Sequence, residues 1–311
     1  MMPYVALTWG RERVVTLFLQ RLFDAFDNGA IYAAMALALA LIYKSTGHLN
    51  FAQGEMAMFA AFIAYVLSSE QGLPSWLAIV IAMALSFVFG AVVERVLIRP
   101  LERRNPLSVV IVTLGLFLMV GGIAQRIWLG PPKEFDSPFP DSAKAITIDN
   151  AALRHRTIWY WALLLALVAL LFLMLKRTKI GLAFRAVASN RESAQLVGIG
   201  VGRTLMIGWG LAAAIGAFAG SLRASSTPTF DTNLMLPVLV YSFAAVTLGG
   251  FDSLGGAVLG GLIVAIFETM VSGYVSQIGG QLAQATALVM IILVLLVRPS
   301  GLFGSRKIER V

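Results

Sequence analysis

The chain has 311 residues, of which 59% are hydrophobic and 13% charged, with a formal net charge of +8 and no cysteine. A mean hydropathy of +0.83 excludes an ordinary soluble enzyme and places the chain among integral membrane proteins. The missing cysteines exclude disulfides, thiolate metal sites and cysteine nucleophiles. The cations flank apolar runs, so the positive charge is explained by anionic lipid and membrane topology rather than by nucleic acid.

The N-terminal stretch carries Arg11, Arg13 and Arg21, which interrupt any apolar run before it reaches signal-peptide length, so no cleaved leader is expected. Val14, Leu17, Phe18, Arg21, Leu22 and Ala25 recur at helical spacing, and residues 1–28 are predicted to form an amphipathic interfacial segment. Nine apolar segments follow, at 29–43, 55–69, 76–98, 107–129, 157–175, 205–222, 236–249, 255–272 and 282–297. A bilayer span needs about 20 mostly apolar residues, and none of the ten-residue alternation of a membrane barrel is present. The expected fold is therefore an all-α polytopic bundle of about 8 to 10 transmembrane helices, with one or more broken or re-entrant segments.

Three linking stretches are basic. They contain Arg95, Arg99, Arg103 and Arg104; then Lys176, Arg177, Lys179, Arg185, Arg191 and Arg203; then Arg298, Arg306, Lys307 and Arg310. The positive-inside rule puts all three in the cytoplasm, among them the loop 176–204 and the tail 298–311. Parity puts the loop 130–156 outside, where Lys133, Lys144, Arg154 and Arg156 are offset by Glu134, Asp136, Asp141 and Asp149, and its prolines predict irregular backbone. The same parity places the N-terminus outside, against the preference of its arginines, unless one of the short segments does not cross.

Three segments are imperfect as spans. The polar stretch STGHLNFAQGE precedes the second, the seventh is short, and the eighth opens on FDSLGGAVLGG. Irregular backbone at membrane depth survives only when buried in protein or lining a wet cavity, so these interruptions point to a transport path. Gly47, Asn50 and Gly54 are spaced like Gly249, Asp252 and Gly256, a short internal echo. Gly216 with Gly220, and Gly256 with Gly260, are small-xxx-small pairs that predict close helix packing.

Enzymatic chemistry finds little support. No G-x-x-x-x-G-K-[ST] loop and no H-E-x-x-H motif occurs, and His48 and His155 are far apart in sequence. Glu55 and Glu268 are acidic groups near or within spans, where a carboxylate demands a partner or a wet cavity. Glu55 also suits the first turn of a helix, and Glu268 sits beside Thr269 as a possible interhelical hydrogen-bonding group.

The sharpest signal lies in the cytoplasmic loop. IGLAFRAVA reads as a short helix, Ser189 with Glu192 as a capping box opening a second one, and Gly198 as its stop. Helices this short are unstable alone in water. With Ala194, Leu196 and Val197 apolar, the segment is expected to dock and to meet a soluble partner.

Three stretches in order, NGAIYAAMALALALIYKSTGHLNFAQGEMAMFAAFIAY, GLAFRAVASNRESAQLVGIGVGR and AVTLGGFDSLGGAVLGGLIVAIFE, with the ending LLVRPSGLFG, resemble LivH-type permeases of branched-chain amino acid ABC transporters from about Asn28 to Gly304. The resemblance implies a multi-pass inner-membrane permease without catalytic activity or a cofactor of its own. It also implies a second similar permease, two cytoplasmic ATPases that bind the ATP, and an extracytoplasmic substrate-binding protein. Arg185, Ala188, Asn190, Arg191, Glu192, Ala194, Leu196 and Gly198 then fall in the ATPase-coupling segment. Asn50, Gln53, Glu55, Tyr241, Thr247 and Ser253 are the candidate path residues. The family usually has His where this chain has Gln53, so a protonation role at that position is absent, although Gln still donates and accepts. Related permeases for urea or short amides share much of the pattern, and an ion-coupled secondary transporter is the remaining alternative.

Overall fold

The computed structural model describes residues 3–101, 106–139, 144–274, 283–298 and 300–304. The expectations placed on Arg103, Arg104, Asp141, Arg306, Lys307 and Arg310, and on the side chains of Arg11 and Arg13, lie outside the described residues.

In chain order the helices are α1 (Pro3–Thr46), α2 (Gln53–Tyr65), α3 (Ser75–Val93), α4 (Pro106–Ile127), α5 (His155–Arg177), α6 (Lys179–Ser189), α7 (Arg191–Leu196), α8 (Val201–Ser226), α9 (Leu236–Gly249), α10 (Leu254–Tyr274) and α11 (Ala283–Val297). Wide π-type turns extend α2 over Val66–Glu70 and α3 over Glu94–Ile98. Six of the helices are long and apolar enough to cross a membrane, namely α1, α3, α4, α5, α8 and α10, while α9 and α11 are shorter apolar helices.

The bundle is built around α1. From Ala30 to Ile42 every side chain is buried, which is the behaviour of a helix apolar on all sides. Its alanines let α8, α9 and α10 close in, with α5 alongside. The most apolar window of α1 is 83% buried, against 17% for α5, which therefore lies at the rim with most of its surface facing outward. The N-terminal segment is continuous with the first span as one 44-residue helix. Val14, Leu17 and Phe18 are exposed on it, and Ala25 is fully buried.

The ends of the bundle separate cleanly. Arg99 donates to the Gly202 carbonyl at 2.6 Å, Arg191 donates to Ser45 and Thr46 carbonyls, and Lys44 donates to the Asp252 carbonyl. The described parts of the basic stretches therefore gather at one end. At the opposite end the Ala152 amide donates to Gln20 at 2.8 Å, Thr16 donates to the Asp149 carbonyl, and Arg156 pairs with Asp27 at 2.6 Å. The first half of α1 thus lies at the end away from the basic loops.

The loop 130–156 was expected to be irregular. Instead it holds a two-stranded antiparallel hairpin, β1 (Ala145–Ile148) and β2 (Ala151–Arg154). Asp149 and Asn150 both take positive φ, 47° and 61°, as the two-residue hairpin turn demands. The prolines of this loop precede the hairpin, so they do not prevent it.

The glycine pairs act as packing surfaces. A side chain at Gly220 would strike the Ala57 carbonyl of α2, and one at Gly260 would strike the Ala245 carbonyl of α9. Backbone cannot yield as a flexible side chain can. Gly220→Val and Gly260→Val are each expected to cost at least about 1–3 kcal/mol from overpacking, read as a lower melting temperature in detergent. Gly115→Ala, on an exposed face of α4 with open space around it, should leave melting unchanged or raise it slightly.

Candidate functional site

The basic end carries the segment formed by α6 and α7. Thr178 opens α6, its hydroxyl accepting from the Gly181 amide at 3.1 Å. Gly181, Phe184 and Val187 form its buried face. The break before α7 falls one residue later than the capping-box reading placed it: Ser189 is the last residue of α6, and Asn190 is the cap. Asn190 has extended backbone and accepts from the Ser193 amide at 2.9 Å. Asn caps helices as well as Ser does, and the adjacent pair left the choice open in sequence. Gly198, at φ 84°, terminates α7, as its left-handed backbone favours.

The segment is held from within by a small cluster of Val187, Ala194, Val201 and Leu205. It is held to the bundle by Arg191, whose Nη2 donates to the Thr46 carbonyl at 2.6 Å and the Ser45 carbonyl at 3.2 Å. Those carbonyls belong to the last turn of α1, where orphan acceptors and the helix dipole favour a cation. Arg185 turns back to the Leu175 carbonyl of α5. Ala194 therefore faces inward, while Ala188, Asn190 and Glu192 are exposed. Leu196 and Val197 are 88% and 74% exposed at the tip. Burial and the nearby Arg191 guanidinium hold the His48 imidazole below its ordinary range, so it adds no charge here at neutral pH.

The path candidates fall into separate places. Asn50 is fully buried, accepts from the Ala52 amide and donates to Gln53 Oε1 at 3.0 Å. Gln53 donates to the Ala212 carbonyl at 2.8 Å, so the pair ties the irregular turn before α2 to the middle of α8. Glu55 is next to them in sequence but points at Gly121 of α4, and its Oε2 is buried without a hydrogen-bond partner. Thr247 bonds its own helix at the Phe243 carbonyl and borders an apolar cleft of about 330 Å³ lined also by Leu49, Phe51 and Ile291. Ser253 accepts from the Gly256 amide in the first turn of α10. Tyr241 stands apart, stacked on Tyr32 with ring centroids 5.0 Å apart.

The two echoed stretches do share one role. Both are reversals at the basic end, and Thr46, Gly47, Phe251 and Asp252 border a common cavity of about 1230 Å³ whose other walls include Ala188 and Arg191. Residues 300–304, within the stretch that sequence reading treated as a tail, close this region: Leu302 and Phe303 amides donate to the Leu248 and Gly249 carbonyls at the end of α9. The glycines in that stretch were its only local signal. Among the described residues no group of three or more His, Cys, Asp or Glu gathers that could hold a metal ion.

Comparison with known proteins bears on this arrangement. A family profile described as "Branched-chain amino acid transport system / permease component" matches residues 22–297. The permease protein BraD of a high-affinity branched-chain amino acid transport system in Pseudomonas aeruginosa is 29% identical, covering 94% of this chain and 98% of its own length. Its counterpart LivH of Escherichia coli (strain K12) is 27% identical with the same coverage. The fructose import permease FruG of Bifidobacterium longum is 26% identical over 78% of this chain and 72% of its own. The chain therefore belongs to the family of branched-chain amino acid transport permease components, the non-catalytic membrane subunits of ABC importers.

Proposed function

We propose that this subunit translocates branched-chain aliphatic amino acids across the inner membrane, beside a second similar permease, with α6 and α7 as the contact for two cytoplasmic ATPases. The observation that carries the reading is the capped segment at the basic end. Its tip residues Leu196 and Val197 face outward, while Arg191 fastens the same segment to the end of the central helix. Exposed apolar side chains on a polar-rimmed tip are what a protein partner covers. The sequence has no phosphate-binding loop, so the energy of hydrolysis has to arrive through such a contact. A binding protein on the hairpin end would deliver the cargo. The cargo itself is supported by the relatives aligned over nearly the whole chain, whose names specify branched-chain amino acids, whereas the fructose permease aligns over less of it.

Three measurements test this. Purified from mild detergent, the tagged chain should bring down two P-loop ATPases and a second permease, and Leu196→Asp with Val197→Asp should weaken ATPase capture at least tenfold, about 1.4 kcal/mol. Replacing Arg191 and Glu192 together by Ala should leave insertion intact and lower transport and coupled ATP hydrolysis. Undiminished uptake in that double variant would remove the coupling role from α7. In liposomes holding the full complex and its binding protein, leucine, isoleucine and valine should be accumulated on ATP addition, and urea, acetamide and fructose should not compete. Accumulation of solute down an ion gradient by the purified chain alone would replace the reading with a secondary transporter.

A further inference from the structure

The polar cavity of about 1230 Å³ at the basic end and the apolar cleft of about 330 Å³ share a wall, the Phe251 side chain. Two helices give their order in depth. On α9, Phe243 and Thr247 line the cleft, and the turn that follows brings Phe251 and Asp252 to the cavity. On α11, Leu288, Ile291 and Leu295 line the cleft, and Val297 and Arg298 come next, in the cavity. Both helices run toward the basic end, where the last carbonyls of α9 receive the Leu302 and Phe303 amides. The apolar cleft therefore lies at membrane depth, and the polar cavity lies at its surface.

The chemistry of the two spaces differs as sharply as their depth. The Phe51 and Phe243 rings stand 5.5 Å apart on the wall of the cleft, and its one hydroxyl, on Thr247, is taken by the Phe243 carbonyl. Leu288 and Leu295 are exposed, so the cleft opens to the outside of this subunit. From Leu288 to Val297 the axis of α11 rises about 14 Å, close to one leaflet of a hydrocarbon core about 30 Å thick. The cavity above it is basic. Among the described residues its charged walls are Lys44, Arg191, Arg298 and Asp252. Lys44 gives one of its three donors to the Asp252 carbonyl at 3.1 Å, and Arg298 is exposed where α11 ends. The Asp252 carboxylate lies against Gly304, on the side of the C-terminal stretch.

We infer that the cavity and the cleft together hold one anionic phospholipid of the leaflet at the basic end, its phosphate at Lys44 and Arg298 and one acyl chain in the cleft beyond Phe251. An apolar channel that ends on cations matches a molecule whose chain ends on an anion. Lys and Arg at a membrane surface draw anionic lipid toward them, and the long stem of Lys44 lets its ammonium stay at the polar level. A free phosphate would meet the cations and leave the cleft open. An apolar face of another subunit would fill the cleft and leave the cations without an anion. Only the lipid answers both halves of the site, and it does so independently of the cargo.

The test uses the full chain, purified with its partner subunits, in phosphatidylcholine vesicles. These carry phosphatidylglycerol or phosphatidylcholine with a photoreactive group on one acyl chain, and the labelled peptides are identified by mass spectrometry. Phosphatidylglycerol should label residues 240–251 and 288–297 at least about tenfold more than phosphatidylcholine does, as two cations facing one phosphate imply. Lys44→Gln with Arg298→Gln should bring the two lipids to within about twofold of each other. Leu295→Trp, which fills the cleft and leaves the cations in place, should lower labelling by phosphatidylglycerol at least about fivefold. Inorganic phosphate in excess, at matched ionic strength, should leave the labelling unchanged, because it brings no chain to the cleft. Loss of labelling to inorganic phosphate overturns the lipid in favour of a phosphate site. Equal labelling by the two lipids in the wild-type protein overturns the site whatever becomes of the variants, and so does an unlabelled cleft, the result expected where the second permease covers it.

Discussion

Everything in this bundle depends on how closely backbones approach α1 and the helices that wrap it. The stretch from Ala30 to Ile42 carries mainly Ala and Leu and is buried on every side, and Gly261 of α10 sits directly against the backbone of Ala33. In a bilayer, lipid tails are as apolar as leucine, so helices gain little from hiding apolar surface and much from van der Waals fit and buried hydrogen bonds. Small residues supply that fit. They bring Gly220 onto Ala57 and Gly260 onto Ala245, and the same closeness lets Gln53 reach the Ala212 carbonyl and Ser242 the Tyr32 carbonyl. The polar contacts within the spans are thus consequences of glycine and alanine placement.

Close packing of this kind passes a displacement of one helix on to its neighbours. The end of α1 is where the α6–α7 segment is fastened. Arg191 holds its last carbonyls, and the Phe184 ring of α6 and the Ser45 hydroxyl of α1 both lie against Gly208 of α8. A push on the exposed tip of α7 therefore reaches the two most buried spans through one guanidinium and one ring. Residues 300–304 add a second attachment beside it, through the amides of Leu302 and Phe303 on the end of α9. The α6–α7 segment and residues 300–304 both contribute walls to the basic-end cavity.

The outline of this architecture was readable from residue order. Apolar run length located the helices, and the segment 236–249 coincides with α9. Basic residues located one end of the bundle, and Gly198 located the end of α7. The errors came where neighbouring residues offered equal chemistry or where the signal was tertiary. Ser189 and Asn190 are both good caps, and only the extended backbone at Asn190 selects it. Asp149–Asn150 is a hairpin turn whose flanking strands have just four residues each, too short for alternation to stand out among the prolines before them.

The candidate path residues show a different limit, one of direction rather than identity. Asn50, Gln53, Glu55 and Ser253 were selected as polar groups at interruptions. Three of them make contacts that build the interruption itself: Asn50 with the Ala52 amide, Gln53 with Ala212, and Ser253 with the Gly256 amide. A polar side chain beside broken backbone has the backbone as its nearest partner, so it is consumed before any solute arrives. Groups available to a solute must instead be held by rigid helices and left incompletely satisfied. Arg223 of α8, which reaches the Asn28 amide oxygen of α1 at 3.5 Å, makes its contact between helices rather than within a turn. Residues 28 and 223 are far apart in sequence and meet only because α8 packs against α1, which returns the polar contacts within the spans to the close packing that assembles them.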